Sequence, residues 1–331
     1  MANVKLYECQ QAQRLDVFLA AQIDETRSQV AQLIKQENVL VNQKIVTRPG
    51  VKLKIGEKVE VHFPQLQETE SFDGDFIEKL EWAQEVKIIY EDDDLLVINK
   101  PSGVTVHPAP SVKEATLVDW LKYKGVRLST LSGEERHGIV HRLDKGTSGA
   151  MVIAKNNESH QFLSEQLQDK SMGRYYLAII TPPLKDLHTV IESNIGRSAH
   201  NRLKMACVEH GKTAKTKFAT LSLSNDETVQ LIACKLYTGR THQIRVHLES
   251  ISRHILGDHI YAVGPKQGNP ERILLHAYII YFIHPRTKKE LFFVADLDQE
   301  MRKQIEKKFN LEHINEVMET NNILNSFSSH I

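Results

Sequence analysis

The sequence predicts an α+β protein: a large domain built on a mixed, mainly antiparallel central sheet flanked by helices, preceded by a small ααβ unit. Three observations carry this expectation. Short β-rich runs bounded by turn residues recur from Val86 onward without a regular strand–helix–strand repeat. Two helical patterns followed by strand patterns fill residues 12–62, ahead of a stretch with no periodicity. The apolar share of 41% over 331 residues is ample for a full core.

In the first unit, residues 12–62, Leu15, Phe18, Leu19 and Ile23 recur at helical spacing. Thr26 is placed to cap a second helix carrying Val30, Leu33 and Ile34. Residues 39–46 then read as strand, turn and strand, and the apolar positions of 51–55 and 59–61 alternate. Lys44, Arg48, Lys52, Lys54 and Lys58 stand against the single acid Glu57, which predicts a basic face. Residues 63–78 carry Glu68, Glu70, Asp73, Asp75 and Glu78 and neither Lys nor Arg, so they are expected to form a solvated, mobile linker.

The large domain is expected over 79–309. A hairpin is predicted from residues 86–90 and 95–99 across the polar turn 91–94, and a buried strand from 150–154. Further strands are expected at 175–180, 229–236, 276–283 and 291–294, and helices near 117–123, 159–168, 242–252 and 299–309. Residues 310–331 are polar with scattered apolar positions and read as a C-terminal tail.

Composition narrows the function by exclusion. Lys plus Arg equals Asp plus Glu at 42 each, so evidence for a nucleic-acid partner must come from local charge. Cys9, Cys207 and Cys234 show no C-x-x-C spacing, which argues against a disulfide framework or zinc site and favours a reducing cytoplasm. No apolar run approaches the roughly 18 residues needed to span a bilayer, and residues 1–10 hold no hydrophobic signal core. Neither G-x-x-x-x-G-K-[ST] nor G-x-S-x-G is present, which removes the P-loop NTPase and serine-hydrolase readings.

The densest chemistry lies in residues 138–154. Asp144 stands between Arg142 and Lys145, with Gly146 and Gly149 following before the apolar strand. A carboxylate on so tight a loop, flanked by cations that favour its charged form, reads as a nucleophile or base facing an anionic polymer. A second cluster, residues 238–247, sets Arg240, His242, Arg245 and His247 at a turn-to-helix junction. Lys100 sits at a strand exit, Arg174 and Tyr176 share a strand face, and Leu275–His276–Ala277 opens another strand. Each of these pieces alone also reads as ordinary structure.

Taken together they resemble known families. Arg14–Leu15–Asp16, Arg27–Ser28–Gln29–Val30 and Val39–Leu40–Val41–Asn42 resemble the ribosomal-protein-S-four-type RNA-binding module. That likeness implies RNA phosphate contacts from Arg27, Ser28 and Lys44, as helix N-terminal amides favour anions. His141–Arg142–Leu143–Asp144–Lys145–Gly146–Thr147–Ser148–Gly149 and Thr238–Gly239–Arg240–Thr241–His242–Gln243–Ile244–Arg245 resemble the RluA-type pseudouridine synthases, in their RluC and RluD branch. Ile98–Asn99–Lys100–Pro101, Gly257–Asp258 with Tyr261, and Leu275–His276–Ala277 extend the likeness to about residue 305. Two positions depart from the pattern: Arg174 stands where the family usually has Lys, and His254 where it usually has Pro.

The resemblance implies the pseudouridine synthase fold and isomerisation of uridine to pseudouridine in structured RNA, with large-subunit (23S) ribosomal RNA as the expected substrate. Asp144 is then the nucleophile, attacking sugar C1′ or uracil C6, Arg245 its partner, and Tyr176 the residue against the uracil, as stacking wall or as base for the C5 proton. Arg142 displaces the base from its stack. His141, Lys100, Arg174, Arg240 and His242 are expected as further RNA contacts. The reaction needs no cofactor and no metal, and a monomer is the default. The alternatives are a tRNA pseudouridine synthase and a non-catalytic RNA-binding ribosome-assembly factor.

Overall fold

Helical and alternating apolar patterns resolve into the expected elements in a computed structural model that describes residues 3–23, 27–63, 74–109, 112–133, 136–201, 203–262 and 270–328. Thr26, the side chains of Arg27 and Ser28, and residues 64–73 of the expected linker lie outside the described residues. The chain falls into two units, Met1–Ser71 and Phe72–Ile331.

The first unit contains β1 (Asn3–Glu8), β2 (Gln13–Arg14), α1 (Leu15–Gln22), α2 (Arg27–Lys35), β3 (Val39–Val41), β4 (Lys44–Ile45), β5 (Lys52–Leu53) and β6 (Lys58–Phe63). Leu15, Phe18, Leu19, Val30 and Ile34 of the helices pack on Val39, Val41, Val59 and Val61 of the strands. Strand order is β1–β6–β3–β4, and β2 pairs with β5. β1 was not expected from the sequence, because its apolar Val4 and Leu6 are on the exposed side. In the Arg14–Leu15–Asp16 motif, Arg14 Nε and Nη2 bond the buried Asp16 carboxylate at 2.9 and 3.0 Å, fixing the entry to α1. Lys44, Arg48, Lys52, Lys54 and Lys58 are all exposed. Glu57 is meanwhile occupied by Asn42 Nδ2 (3.3 Å) and Lys54 N–H (2.8 Å).

The second unit starts with α3 (Gly74–Glu78) and α4 (Glu81–Glu85). Residues 74–78 were expected to be linker, yet Ile77 is 2% exposed in the core of this unit. A single apolar residue in an acidic stretch was enough to anchor a helical turn. The hairpin β7 (Lys87–Glu91) and β8 (Leu95–Lys100) leads to α5 (Leu117–Tyr123), β9 (Ser148–Ala154), α6 (Asn157–Asp169) and β10 (Gly173–Thr181). Then come β11 (His188–Arg197), β12 (Met205–Cys207), β13 (Lys212–Leu223), β14 (Gln230–Leu236), α7 (Gln243–Ser250), β15 (His254–Ile255), β16 (Leu275–Ile283), β17 (Glu290–Val294) and α8 (Gln299–Lys308). The strands β11 to β13 escaped sequence reading because much of their surface is half-exposed and three buried positions, Thr216, Lys217 and Ser222, are polar or charged.

These strands form one sheet in the order β12–β11–β13–β14–β10–β16–β9–β8–β7, with β15 on β10 and β17 on β16. Pairing is antiparallel throughout except for the short parallel join of β16 to β9, His276 to Ser148 and Ala277 to Gly149. Gly149 makes that join possible. Its φ is +116°, and a Cβ there would lie 2.2 Å from the Ala277 carbonyl oxygen.

The expected tail is not loose. After α8, α9 (Leu311–Val317) and α10 (Thr320–Asn325) place Ile314, Ile323 and Phe327 in the main core. Phe327 packs on Tyr175 with ring centroids 5.2 Å apart, and Lys217 Nζ donates to the Phe327 carbonyl at 3.2 Å. Spaced for one face of short helices, these apolar residues looked scattered in a polar sequence.

Gly149→Ala should destabilise the large unit by on the order of 3 kcal/mol, since strain at positive φ adds to a backbone clash. Chemical unfolding checks this, with a lowered midpoint expected.

Candidate active site

Asp144 reaches the surface at the mouth of a strand, held there by its own loop. Thr147 N–H closes the turn on the Asp144 carbonyl at 3.0 Å, and residue 148 then enters β9. From below, Gly103 N–H donates to the Lys145 carbonyl (2.8 Å) and Ser102 Oγ to that of Gly146 (2.7 Å). A Cβ on Gly146 would meet Ile273 at 2.8 Å, so the turn lies flat on the core. Ser148 Oγ lies 2.8 Å from both His276 Nδ1 and Asp298 Oδ2, and Asp298 is paired with Arg272 and caps α8.

Lys100 belongs to this support and corrects an expectation. It was counted among RNA contacts, yet it is fully buried, donating to the carbonyls of Pro101 (2.8 Å), Val104 (2.9 Å) and Lys145 (3.4 Å). Burial pulls its pKa down to about 7, against the opposing pull of the Asp144 charge. Lys145 also departs from the sequence reading. Its ammonium turns outward to Glu114 (2.6 Å) instead of attending Asp144.

The partners of Asp144 come from α7. Arg245 Nη1 lies 3.5 Å from Asp144 Oδ2, and His242 Nε2 lies 4.0 Å from the same oxygen. The stronger bond of Arg245 is to a residue the sequence did not assign a role. Its Nε and Nη2 grip the two oxygens of Asp258, both at 2.7 Å, and Asp258 is 2% exposed. Asp258 Oδ1 also accepts from the amides of Ile260 and Tyr261. The Tyr261 ring lies 4.8 Å from the guanidinium, and its hydroxyl lies 2.9 Å from His242 Nδ1 while accepting from Met205 N–H at 2.8 Å. Burial lowers the His242 pKa, with the charge of Asp144 acting in the opposite direction, so the imidazole is neutral at pH 7.

The loop that delivers these side chains is pinned by Gln243. This residue is 3% exposed, accepts from Thr238 Oγ1 (2.7 Å) and Arg240 N–H (3.0 Å), and donates to the Lys215 carbonyl (3.0 Å) and Thr216 Oγ1 (2.9 Å). His242 turns the chain at φ +58° just before the helix. Only a long amide could answer donors and acceptors on both sides of so tight a turn.

Asp144, Tyr176, Arg245, Arg142, His141, Arg174, Arg240 and His242 line one cleft of about 590 Å³, joined by Lys170, which the sequence reading had not singled out. Among the described residues lining it, Asp144 is the only acid. Tyr176 on β10 is 4% exposed, between Cys234 and Ala277 of the neighbouring strands. Burial raises its pKa, and the Arg174 charge partly opposes the rise. Arg142 is exposed, whereas Arg240 is anchored through Nε to the Thr213 carbonyl at 3.0 Å.

His141, on the cleft wall, also serves the strand beneath it. It is 8% exposed, and its Nε2 accepts from Val152 N–H at 3.2 Å, which satisfies a β9 amide. Burial, reinforced by Arg174, drops its pKa to about 3, so it offers RNA no positive charge. Lys44 is exposed in the first unit, and the side chains of Arg27 and Ser28 lie outside the described residues.

Residues 94–250 match the family described as RNA pseudouridylate synthase, and residues 13–59 match the S4 domain. A Helicobacter pylori (strain J99) protein named as an uncharacterized RNA pseudouridine synthase is 44% identical over 319 residues, covering 95% of this chain and 95% of its own length. The chain belongs to the RNA pseudouridine synthases. It is thus an isomerase with an RNA substrate. The ribosomal large subunit pseudouridine synthase D of Zymomonas mobilis is 36% identical over 299 residues, 87% of this chain and 92% of that synthase. The fold is shared with human RNA Pseudouridylate Synthase Domain Containing 1, at a TM-score of 0.53 and 22% identity over 68% of this chain and 96% of that one.

Because the folded state holds Lys100 at about 7 and the unfolded chain near 10.5, the unfolded state binds the extra proton between those values. Stability should therefore rise with pH from about 7 to 10, by on the order of 1 kcal/mol per unit from this group. Lys100→Met should remove that rise, checked by comparing unfolding free energies of the two proteins across the range.

Proposed function

We propose that this synthase modifies uridine in large-subunit ribosomal RNA, with Asp144 as the nucleophile. The observation that carries this reading is the placement of Asp144, the one acid among the described residues of a cation-lined cleft, 3.5 Å from an arginine whose remaining donors are held by Asp258. Such an arginine orients the carboxylate without capturing both of its oxygens. One oxygen stays available for attack.

A uridine buried in a helix cannot reach Asp144, so it must first leave its stack, at a cost of a few kcal/mol. Arg142, exposed beside the cleft, can fill the space the base leaves. Asp144 then adds to C1′ or to C6 and the C1′–N1 bond breaks. The uracil turns and C5 bonds to C1′; the bond to Asp144 breaks, displaced by C5 on the C1′ route or eliminated from C6 on the other, C5 loses its proton and N1 gains one. Both routes use the same carboxylate. Burial raises the Tyr176 pKa above that of a free phenol and makes the phenolate harder to form, which favours a role as the wall against the uracil.

The ribosomal substrate is supported by two relatives named as ribosomal large subunit pseudouridine synthase D, from Zymomonas mobilis and Nitrosomonas europaea. The first unit, with its five exposed cations along 44–58, would add phosphate contacts of its own. The protein would act as a monomer in the cytoplasm, in keeping with its three free cysteines.

Mapping pseudouridine in total RNA with and without this protein tests the substrate: a site lost from large-subunit rRNA supports it, and losses confined to tRNA refute it. Asp144→Asn should keep the fold and RNA binding but abolish product, whereas surviving turnover would remove Asp144 from the mechanism. Asp258→Asn should lower kcat by about 10²-fold with a smaller change in KM, since Arg245 loses its orientation. Deleting residues 1–71 should weaken RNA binding and flatten its salt dependence, as read by titration at several ionic strengths.

A further inference from the structure

Arg174 opens toward the cleft from β10, two residues before Tyr176, and only 9% of it is exposed. It has no hydrogen bond or ion pair with any described residue, and its buried Nε lacks a partner. The guanidinium lies over Gly239, where an added Cβ would stand 3.2 Å from Nη1 and 3.3 Å from Nη2. Two buried or half-buried arginines nearby have carboxylate partners, Arg245 with Asp258 and Arg272 with Asp298, and Arg240 bonds the Thr213 carbonyl.

A guanidinium N–H buried without an acceptor is costly, so the fold gains nothing from it in the free protein. Nothing in the cleft can supply the missing charge. Asp144 stands against Arg245, and His141, whose pKa burial and Arg174 push down, is neutral. We infer that Arg174 is a preformed anion site that takes a backbone phosphate of the RNA strand carrying the target uridine. The inference rests on the reading that this cleft receives the displaced nucleotide.

The ligand chemistry follows from the group. A uracil carbonyl is neutral and would leave the charge uncompensated. A phosphodiester brings a full negative charge and two oxygens that fit the guanidinium fork. Two residues along a strand is roughly 7 Å, which puts Arg174 within one nucleotide of the base held against Tyr176. Gly239 keeps the guanidinium face open on the loop side.

The test uses the full chain in the Asp144→Asn background, with an RNA that the wild-type protein is shown to modify. Arg174→Met should weaken RNA binding by at least tenfold and reduce the slope of log Kd against log salt by about 1. Its unliganded melting temperature should stay level or rise, because a buried donor without a partner has been removed. Arg174→Lys should retain the slope and recover part of the affinity. An unchanged salt slope in Arg174→Met would overturn the inference. So would a marked fall in its melting temperature or a failure to fold, since the charge would then serve the free protein. Because these are binding and stability readings, they stand even if Asp144→Asn retains turnover and the nucleophile reading fails.

Discussion

The bidentate pair of Arg245 and Asp258 is the interaction on which the site depends. It is buried on both sides, and its two 2.7 Å bonds leave one arginine nitrogen directed at Asp144. A guanidinium free to rotate would close on the Asp144 carboxylate with both arms and hold it shut. Tethered at its other edge, it supplies charge and direction to one oxygen only. Asp258 in turn is held by the amides of Ile260 and Tyr261, and Tyr261 reaches His242. The side chains around the carboxylate are thus fixed by one short segment after α7.

The opposite flank of Asp144 is governed by close backbone approach. The single parallel join between β9 and β16 brings Gly149 against Ala277, which seats the loop above Lys100 and ties its exit to His276 and Asp298. The buried ammonium of Lys100 answers carbonyls that no strand or helix satisfies. Loop rigidity here comes from polar groups satisfied inside the protein, where a hydrogen bond left unmade would be costly. That is also why the motif carries small residues at 146 and 149 and a cation before the turn.

Much of this was legible in the sequence. Helices at 117–123 and 299–309, the hairpin over 86–99 and the run 150–154 announce themselves through apolar periodicity, and all are present. The Asp144 and Arg245 motifs were visible as dense polar clusters, and the structure sets them on one cleft. Lys100 was misplaced because a cation beside a motif looks available to a ligand until its burial is known. Asp258 was seen only as part of a motif, since a carboxylate two residues after an apolar pair carries no sign that its partner lies on the preceding helix. The strands 188–197 and 212–223 were missed for a different reason: polar and half-exposed positions hide the two-residue period that marks a strand.

The packing of Phe327 against Tyr175 has a consequence for how the protein comes into being. Tyr175 neighbours the Tyr176 that walls the cleft, and the cover over it arrives from a stretch of chain 150 residues later in the sequence. Contacts of such long range cannot form while the ribosome still holds residues near 327. A nascent chain can build the β9 loop and the α7 turn early, but the strand bearing Tyr175 stays incompletely covered until α9 and α10 emerge. The order of synthesis therefore delays the cover over Tyr175 until the chain has been made past residue 327.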